Sequence, residues 1–168
     1  MRKYRYAAYG SNLHPTRLRK RVPSARLLGS THLDGYELRF NKVGWKDGSA
    51  KCNIVPSDER IYLAVFEILE AERVVLDRFE GLGSGYESVR IEIAGFGTCS
   101  TYIADQGAVD EGLLPMDWYR EMVLLGCLAN DFPRFYLRSI ETVSITEDSN
   151  EKRAREQWKI VEELRDTD

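Results

Sequence analysis

Cysteine and histidine are scarce in this chain. Its 168 residues include three cysteines, Cys52, Cys99 and Cys127, and two histidines, His14 and His32. The cysteines are odd in number, far apart and form no CxxC pair. Reduced thiols in a cytosolic protein are therefore expected, not a disulfide framework. The same spacing supplies no zinc ligand set, so no metal site is expected. An excess of positive charge is also missing. The formal net charge is −3 and the sequence pI about 5.6, which argues against a general nucleic-acid or membrane-surface binder. No window approaches the ~18 apolar residues of a membrane span. Arg2, Lys3 and Arg5 precede no long apolar stretch, so no signal peptide is read. Internal repeats and low-complexity segments are absent.

What is present is ordinary globular composition, 43% apolar and 30% charged, over a length that fits one compact domain. Tyr4–Tyr9 is short, aromatic and apolar, and reads as a buried strand stopped by Gly10. Pro15–Arg21 fits a short helix with proline in its first turn, ended before Pro23. Ala25–Leu33 and Tyr36–Asn41 read as two strands joined by a hairpin turn at Asp34-Gly35. Val43–Ser49 is a loop. Ala50–Val55 is a strand interrupted by Pro56, and Ile61–Leu69 is another strand, rich in β-branched and aromatic residues.

Glu70–Glu80 has helical spacing, with Gly81 where a C-cap glycine belongs. Tyr86–Ala94 and Thr98–Ala104 form a hairpin through Gly95-Phe96-Gly97. Met116–Leu128 is the longest helical stretch, and Phe132-Pro133 opens another helical segment through Ile140. In the charged tail, Ala154, Trp158, Val161 and Leu164 form a narrow helical stripe. The stripe should dock on the body of the chain, with a second copy of the chain, a homodimer, as the alternative.

This order predicts a mixed α+β fold: a small, curled, largely antiparallel, β-barrel-like sheet with flanking helices. A doubly wound layout needs alternating β and α and fits less well. The motif-bearing domain is expected over residues 1–146, with a charged helical extension over 147–168.

Two segments carry chemistry. In Tyr6-Ala7-Ala8-Tyr9-Gly10-Ser11-Asn12-Leu13 an apolar strand runs into a turn whose backbone N–H groups can converge on a carboxylate or oxyanion. The plain alternative is a strand-to-helix turn with Ser11 or Asn12 as helix cap. In Leu76-Asp77-Arg78-Phe79-Glu80-Gly81 a carboxylate stands at a helix C-terminus, where the helix dipole raises its pKa. The alternative is one solvated acid among many. Cys52 has no histidine partner and reads as a small core residue, not a nucleophile. The basic run Arg17-Leu18-Arg19-Lys20-Arg21 lacks interleaved aromatics and reads as a solvated helix face, whose charges can still attract an anionic substrate.

Together these strings resemble the γ-glutamylcyclotransferase-like family, over roughly residues 4–140. The resemblance covers the Tyr-Gly-Ser-Asn segment, with Ala7 in place of a usual bulky aromatic, and the Leu-Asp-x-x-Glu-Gly motif. It also covers Asn53-Ile54-Val55-Pro56, with Cys52 in a small-residue slot.

The resemblance implies that Glu80 is the catalytic acid/base and that Tyr9, Gly10, Ser11, Asn12, Leu13, Tyr86 and Tyr119 bind substrate. Tyr86 and Tyr119 read equally well as core aromatics. The implied reaction is cyclisation of a γ-glutamyl amide or dipeptide to 5-oxoproline with release of an amine or amino acid, without metal or organic cofactor. The expected partner is a small γ-glutamyl substrate, with no nucleic acid and no membrane, in the cytoplasm. Two alternatives stay open: action on a protein-bound or secondary-metabolite γ-glutamyl group, and a non-catalytic binding module of the same fold. Retention of Glu80 argues against the second.

Overall fold

The structure is a computed structural model and describes residues 1–167. Five strands make one mixed sheet: β1 (Lys3–Ala8), β2 (Arg26–Val43), β3 (Ala50–Leu69), β4 (Tyr86–Ile93) and β5 (Gly97–Ala104). Their spatial order is β2-β3-β1-β5-β4. All pairs are antiparallel except β1 with β5, which meet in parallel at Tyr6 and Ser100. β1 lies at the centre, which is why Tyr6-Ala7-Ala8 is a continuous apolar run: such a strand is covered on both faces.

The Asp34-Gly35 pair is not a hairpin turn. It lies within β2, and Pro56 lies within β3, so the expected four short strands are two long ones. The chain reverses instead at Gly44–Ser49, where the Asp47 carboxylate accepts the Ser49 N–H and Gly48 takes a φ of +68°. At Asp34 the ladder shifts register, from Asp34 opposite Arg60 to Tyr36 opposite Pro56. Gly35, with φ +88°, supplies the backbone angle such a bulge requires. Pro56 borders this bulge, where a missing N–H interrupts the ladder least.

The bulge bends the ribbon so that its outer half curls toward β5. There the Asn53 side chain accepts the Ala104 N–H at 3.0 Å and the Asn41 carbonyl accepts the Asp110 N–H at 2.8 Å. These links give the sheet its curl, but it does not close into a barrel, and β2 and β4 remain its edges.

Five helices flank it: α1 (Pro15–Arg21), α2 (Arg73–Glu80), α3 (Asp117–Ala129), α4 (Arg134–Glu141) and α5 (Glu151–Arg165). The fold is α+β. The α3 helix crosses the turn after β1 at Gly126, where a Cβ would come within 2.5 Å of the Leu13 Cβ. Asn130 then donates to the Leu13 carbonyl at 2.9 Å. The turn after β1 is thus held in place by a helix more than a hundred residues later.

The tail stripe docks on its own chain. α5 packs on α3, with Val161 and Leu164 fully buried and Trp158 against the core. Lys20–Glu163 and Arg165–Glu121 ion pairs flank the contact. Among the described residues no helix is long and apolar enough to cross a membrane, and the three cysteines are free and buried.

Candidate active site

Two turns meet beneath the curled ribbon. The first follows β1. Gly10 is needed here for close approach: a Cβ would sit 2.9 Å from the Cys52 Cβ and 3.3 Å from its Sγ, on β3. The Leu13 N–H donates to the Gly10 carbonyl at 3.1 Å and closes the turn. The N–H groups of Gly10, Ser11 and Asn12 donate to no described group, so they are available to an anion. His14 caps α1, its Nδ1 accepting the Thr16 N–H.

The second turn follows α2. Gly81 adopts the left-handed conformation, with its N–H on the Arg78 carbonyl and the Leu82 N–H on that of Asp77. This Schellman-type ending fixes Glu80 as the last helical residue. Gly81 also packs against the Trp45 indole, where a Cβ would meet ring atoms at 2.8 Å.

The turns enclose a cavity of about 20 Å³, room for about one water. Glu80, Tyr9, Gly10, Ser11, Asn12, Tyr86 and Tyr119 all line it. Leu13 does not: its side chain is fully buried in the core beneath α3. Tyr6, Cys52 and Tyr102 complete the wall. Sequence reasoning left these three as strand residues. Tyr6 stands in the first motif string and Cys52 in the small-residue slot beside Asn53, so those strings carry a signal for two of the three, whereas Tyr102 has none.

Most of the tyrosine hydroxyls are tied back to the scaffold. Tyr9 donates to the Tyr102 carbonyl and Tyr86 to the Cys52 carbonyl. Tyr102 donates to Asp77 at 2.6 Å, and Tyr119 accepts the Cys52 N–H at 3.0 Å. Burial holds the phenols of Tyr6, Tyr9, Tyr86 and Tyr119 well above their usual range, so they stay neutral. Burial likewise pushes the Cys52 thiol up to about 12, which leaves little thiolate for nucleophilic attack.

The Glu80 side chain is one-sixth exposed. Burial raises its pKa above the usual glutamate value. The Arg21 and Arg17 charges, the Asn12 hydrogen bond and Lys42 oppose that rise without cancelling it. The sequence pointed to the helix dipole for this shift; in the folded chain desolvation is the larger cause. A carboxylate so placed accepts a proton near neutral pH more readily than a solvated one.

Ser11, Glu80, Tyr86 and Tyr119 also line a wider vestibule of about 170 Å³ that continues the cavity outward. Its walls come from α1, the Gly44–Asp47 loop and α5. Arg17, Arg21, Lys42, Lys46, Lys51 and Arg153 face only Asp47 and Glu80 there, a field that favours anionic ligands. The sequence did not reveal this vestibule, because its cations are spread from residue 17 to residue 153. A larger open groove of about 710 Å³ along Arg2–Arg5 and Arg73 shares none of these residues. It lacks a buried acid, and the site is assigned to the smaller cavity for that reason. No group of histidine, cysteine, aspartate and glutamate able to hold a metal occurs among the described residues.

No family model matches the chain. In sequence it is 28% identical over 149 residues to the γ-glutamylcyclotransferases of Bos taurus and of Homo sapiens, spanning 82% of this chain and 77% of each relative. In fold it superposes on a solved γ-glutamyl cyclotransferase with a TM-score of 0.84 at 22% identity, covering 96% of this chain and 99% of that one. YkqA from Bacillus subtilis matches with a TM-score of 0.70 at 19% identity, over 87% of this chain and 57% of that one. In sequence and in fold the chain is thus similar to γ-glutamylcyclotransferases.

Proposed function

We propose that this protein cyclises a γ-glutamyl amide to 5-oxoproline and a free amine, with Glu80 as the acid/base. One observation carries the reading. The largely buried Glu80 carboxylate faces a turn whose N–H groups are unused, across a cavity walled by neutral tyrosines. The sequence relatives named γ-glutamylcyclotransferase support the same chemistry.

In this reading the glutamyl end lies toward the Gly10–Asn12 turn, whose N–H groups take its α-carboxylate or the developing oxyanion. Glu80 removes a proton from the α-ammonium. The freed amine attacks the γ-carbonyl and forms a tetrahedral intermediate. Collapse breaks the amide C–N bond. Protons shed by the attacking nitrogen pass through Glu80 to the leaving nitrogen, which departs as an ammonium ion. Five-membered ring closure brings a large proximity advantage, since well-oriented intramolecular reactions reach effective molarities of about 10⁵–10⁸ M. The protein supplies a fixed pose and proton transfer. A cavity with room for about one water cannot hold a whole glutamyl group, so the substrate must part Glu80 from Asn12 and extend into the vestibule.

The test is a panel of γ-glutamyl dipeptides and γ-glutamyl alkylamides with 5-oxoproline as readout. Release from at least one member, lost in Glu80→Gln, is the expected result. No 5-oxoproline from any member, with folded protein, overturns the reading.

A further inference from the structure

Two exposed rings bracket Glu80. Phe79 is the residue before it. Trp45 packs on Gly81, the residue after it, where an added Cβ would meet the indole at 2.8 Å. Both rings line the vestibule, yet Trp45 is 57% exposed and Phe79 42%. Cations seat the rings without covering them. The Arg21 guanidinium lies 4.9 Å from the Phe79 ring centre, and the Lys46 ammonium 5.1 Å from that of Trp45. The loop that carries Trp45 is pinned, because the Asp47 carboxylate accepts the Ser49 N–H at 2.9 Å and the Lys51 ammonium at 2.8 Å. A single exposed aromatic is ordinary. Two at one mouth, on either side of the acid/base, are apolar surface that gains only when a ligand covers it.

Their place says which end of a substrate they meet. Neither ring lines the inner cavity, where the Gly10–Asn12 turn lies. Glu80 lines both spaces, so the amide to be broken sits between them and the departing amine projects past the two rings. A cavity of about 150 Å³ takes up benzene, so a vestibule of about 170 Å³ has room for one ring-bearing side chain. An aromatic group meeting Trp45 or Phe79 face to edge gains more than its buried area alone. We propose that Trp45 and Phe79 form a specificity clamp for the departing group, so that γ-glutamyl derivatives of aromatic amino acids are preferred over those with small or aliphatic side chains. The assignment rests on the cyclisation reading above. It goes beyond it by naming the side chain recognised and the residues that recognise it.

The test compares γ-glutamyl-phenylalanine, γ-glutamyl-leucine and γ-glutamyl-alanine, which share every charged group and differ only in the departing side chain. The wild-type protein favours them in that order in kcat/KM. Phenylalanine exceeds alanine by roughly 10–100-fold, the range expected from burying a benzyl group. In Trp45→Ala and in Phe79→Ala that ratio falls several-fold, and in the double variant it approaches one. Trp45→Phe, which keeps a ring, retains most of it. The ratio is read within each variant, so a general loss of activity from a displaced Glu80 cancels. Equal kcat/KM for the three substrates in wild type, or an unchanged ratio in the double variant, overturns the proposal.

If none of the three releases 5-oxoproline, that result counts against the reaction reading, and the clamp is read by binding instead. At equal concentration, N-acetylphenylalanine raises the melting temperature of wild type more than N-acetylalanine does. The difference disappears in the double variant. Its absence in wild type, or its persistence in the double variant, overturns the clamp itself.

Discussion

Asn12 Nδ2 donates to Glu80 Oε1 across a sequence separation of 68 residues. The orientation of the amide is dictated by its other contacts. Arg21, which can only donate, takes Asn12 Oδ1 at 2.9 Å, and Nδ2 also reaches Tyr6 Oη at 3.2 Å. The face turned to Glu80 is therefore a donor, which favours the ionised carboxylate. Burial pulls the other way and prevails. Glu80 is left as a base whose pKa lies above that of a solvated glutamate, a shift in the direction a proton shuttle needs.

Glu80→Gln should lower kcat by about 10²–10⁴, the usual worth of general acid–base catalysis. Stability should move the other way. The folded pKa of Glu80 is raised, so its contribution is most favourable below the unfolded value and is lost as pH rises through the folded one. At pH 7–8 the glutamine variant should therefore melt no lower than wild type. More than about a tenth of wild-type kcat in a folded variant would remove Glu80 from the chemistry.

Arg21→Met should shift the acid limb of the kcat/KM profile upward. Arg21 is the largest influence holding the Glu80 pKa down, and without it a higher pH is needed to ionise the base. The profile should keep its shape and move toward alkaline pH. An acid limb that stays in place would mean that another group limits the rate.

Gly10→Ala should destabilise the fold by about 1–3 kcal/mol, as overpacking does. Its added Cβ would lie 2.9 Å from the Cys52 Cβ. Substrate binding should weaken as well, because the Gly10–Asn12 turn is pushed off β3. Cys52→Gly in the same chain should return part of both losses. A double variant no better than the single would show that the contact with Cys52 is not the cause.

Asp148→Asn should loosen the docked tail. The Asp148 carboxylate is fully buried. It accepts both Nε and Nη2 of Arg153, each at 2.6 Å, and Trp118 Nε1 at 3.1 Å. The Arg153 hydrogen bonds, ahead of other causes, hold its pKa down to about 2. Its stabilisation is present above the unfolded value of roughly 3.9 and is lost as pH falls through about 2. The wild type should melt higher than Asp148→Asn at pH 7, and the gap should close between about pH 4 and pH 2. A gap that persists at pH 2 would mean that ionisation of Asp148 contributes nothing.

The strands and helices were legible where the cause is local. Pro15 at the start of α1, Gly81 in the left-handed conformation after α2, and the 94–96 turn between β4 and β5 act through backbone angles that neighbouring residues set. Asp34-Gly35 and Pro56 misled for the opposite reason. A turn dipeptide and a proline suggest breaks, but the long pairing of β2 with β3 absorbs both at one bulge. Local propensity yields where partner strands supply hydrogen bonds on either side.

By itself the sequence determined the element types, the glycine that ends α2, and the two motif strings that bring Glu80 and the Gly10–Asn12 turn into question together. Each of these follows from the chemistry of a few adjacent residues. Only the tertiary structure decided what surrounds them. It turned the tail stripe onto α3, set Cys52 against Gly10, and gathered cations from α1, β2, β3 and α5 around one vestibule. It also buried Arg17, where its sequence context suggested a solvated face. Charge and burial of this kind arise from contacts between segments a hundred or more residues apart, and no local pattern encodes them.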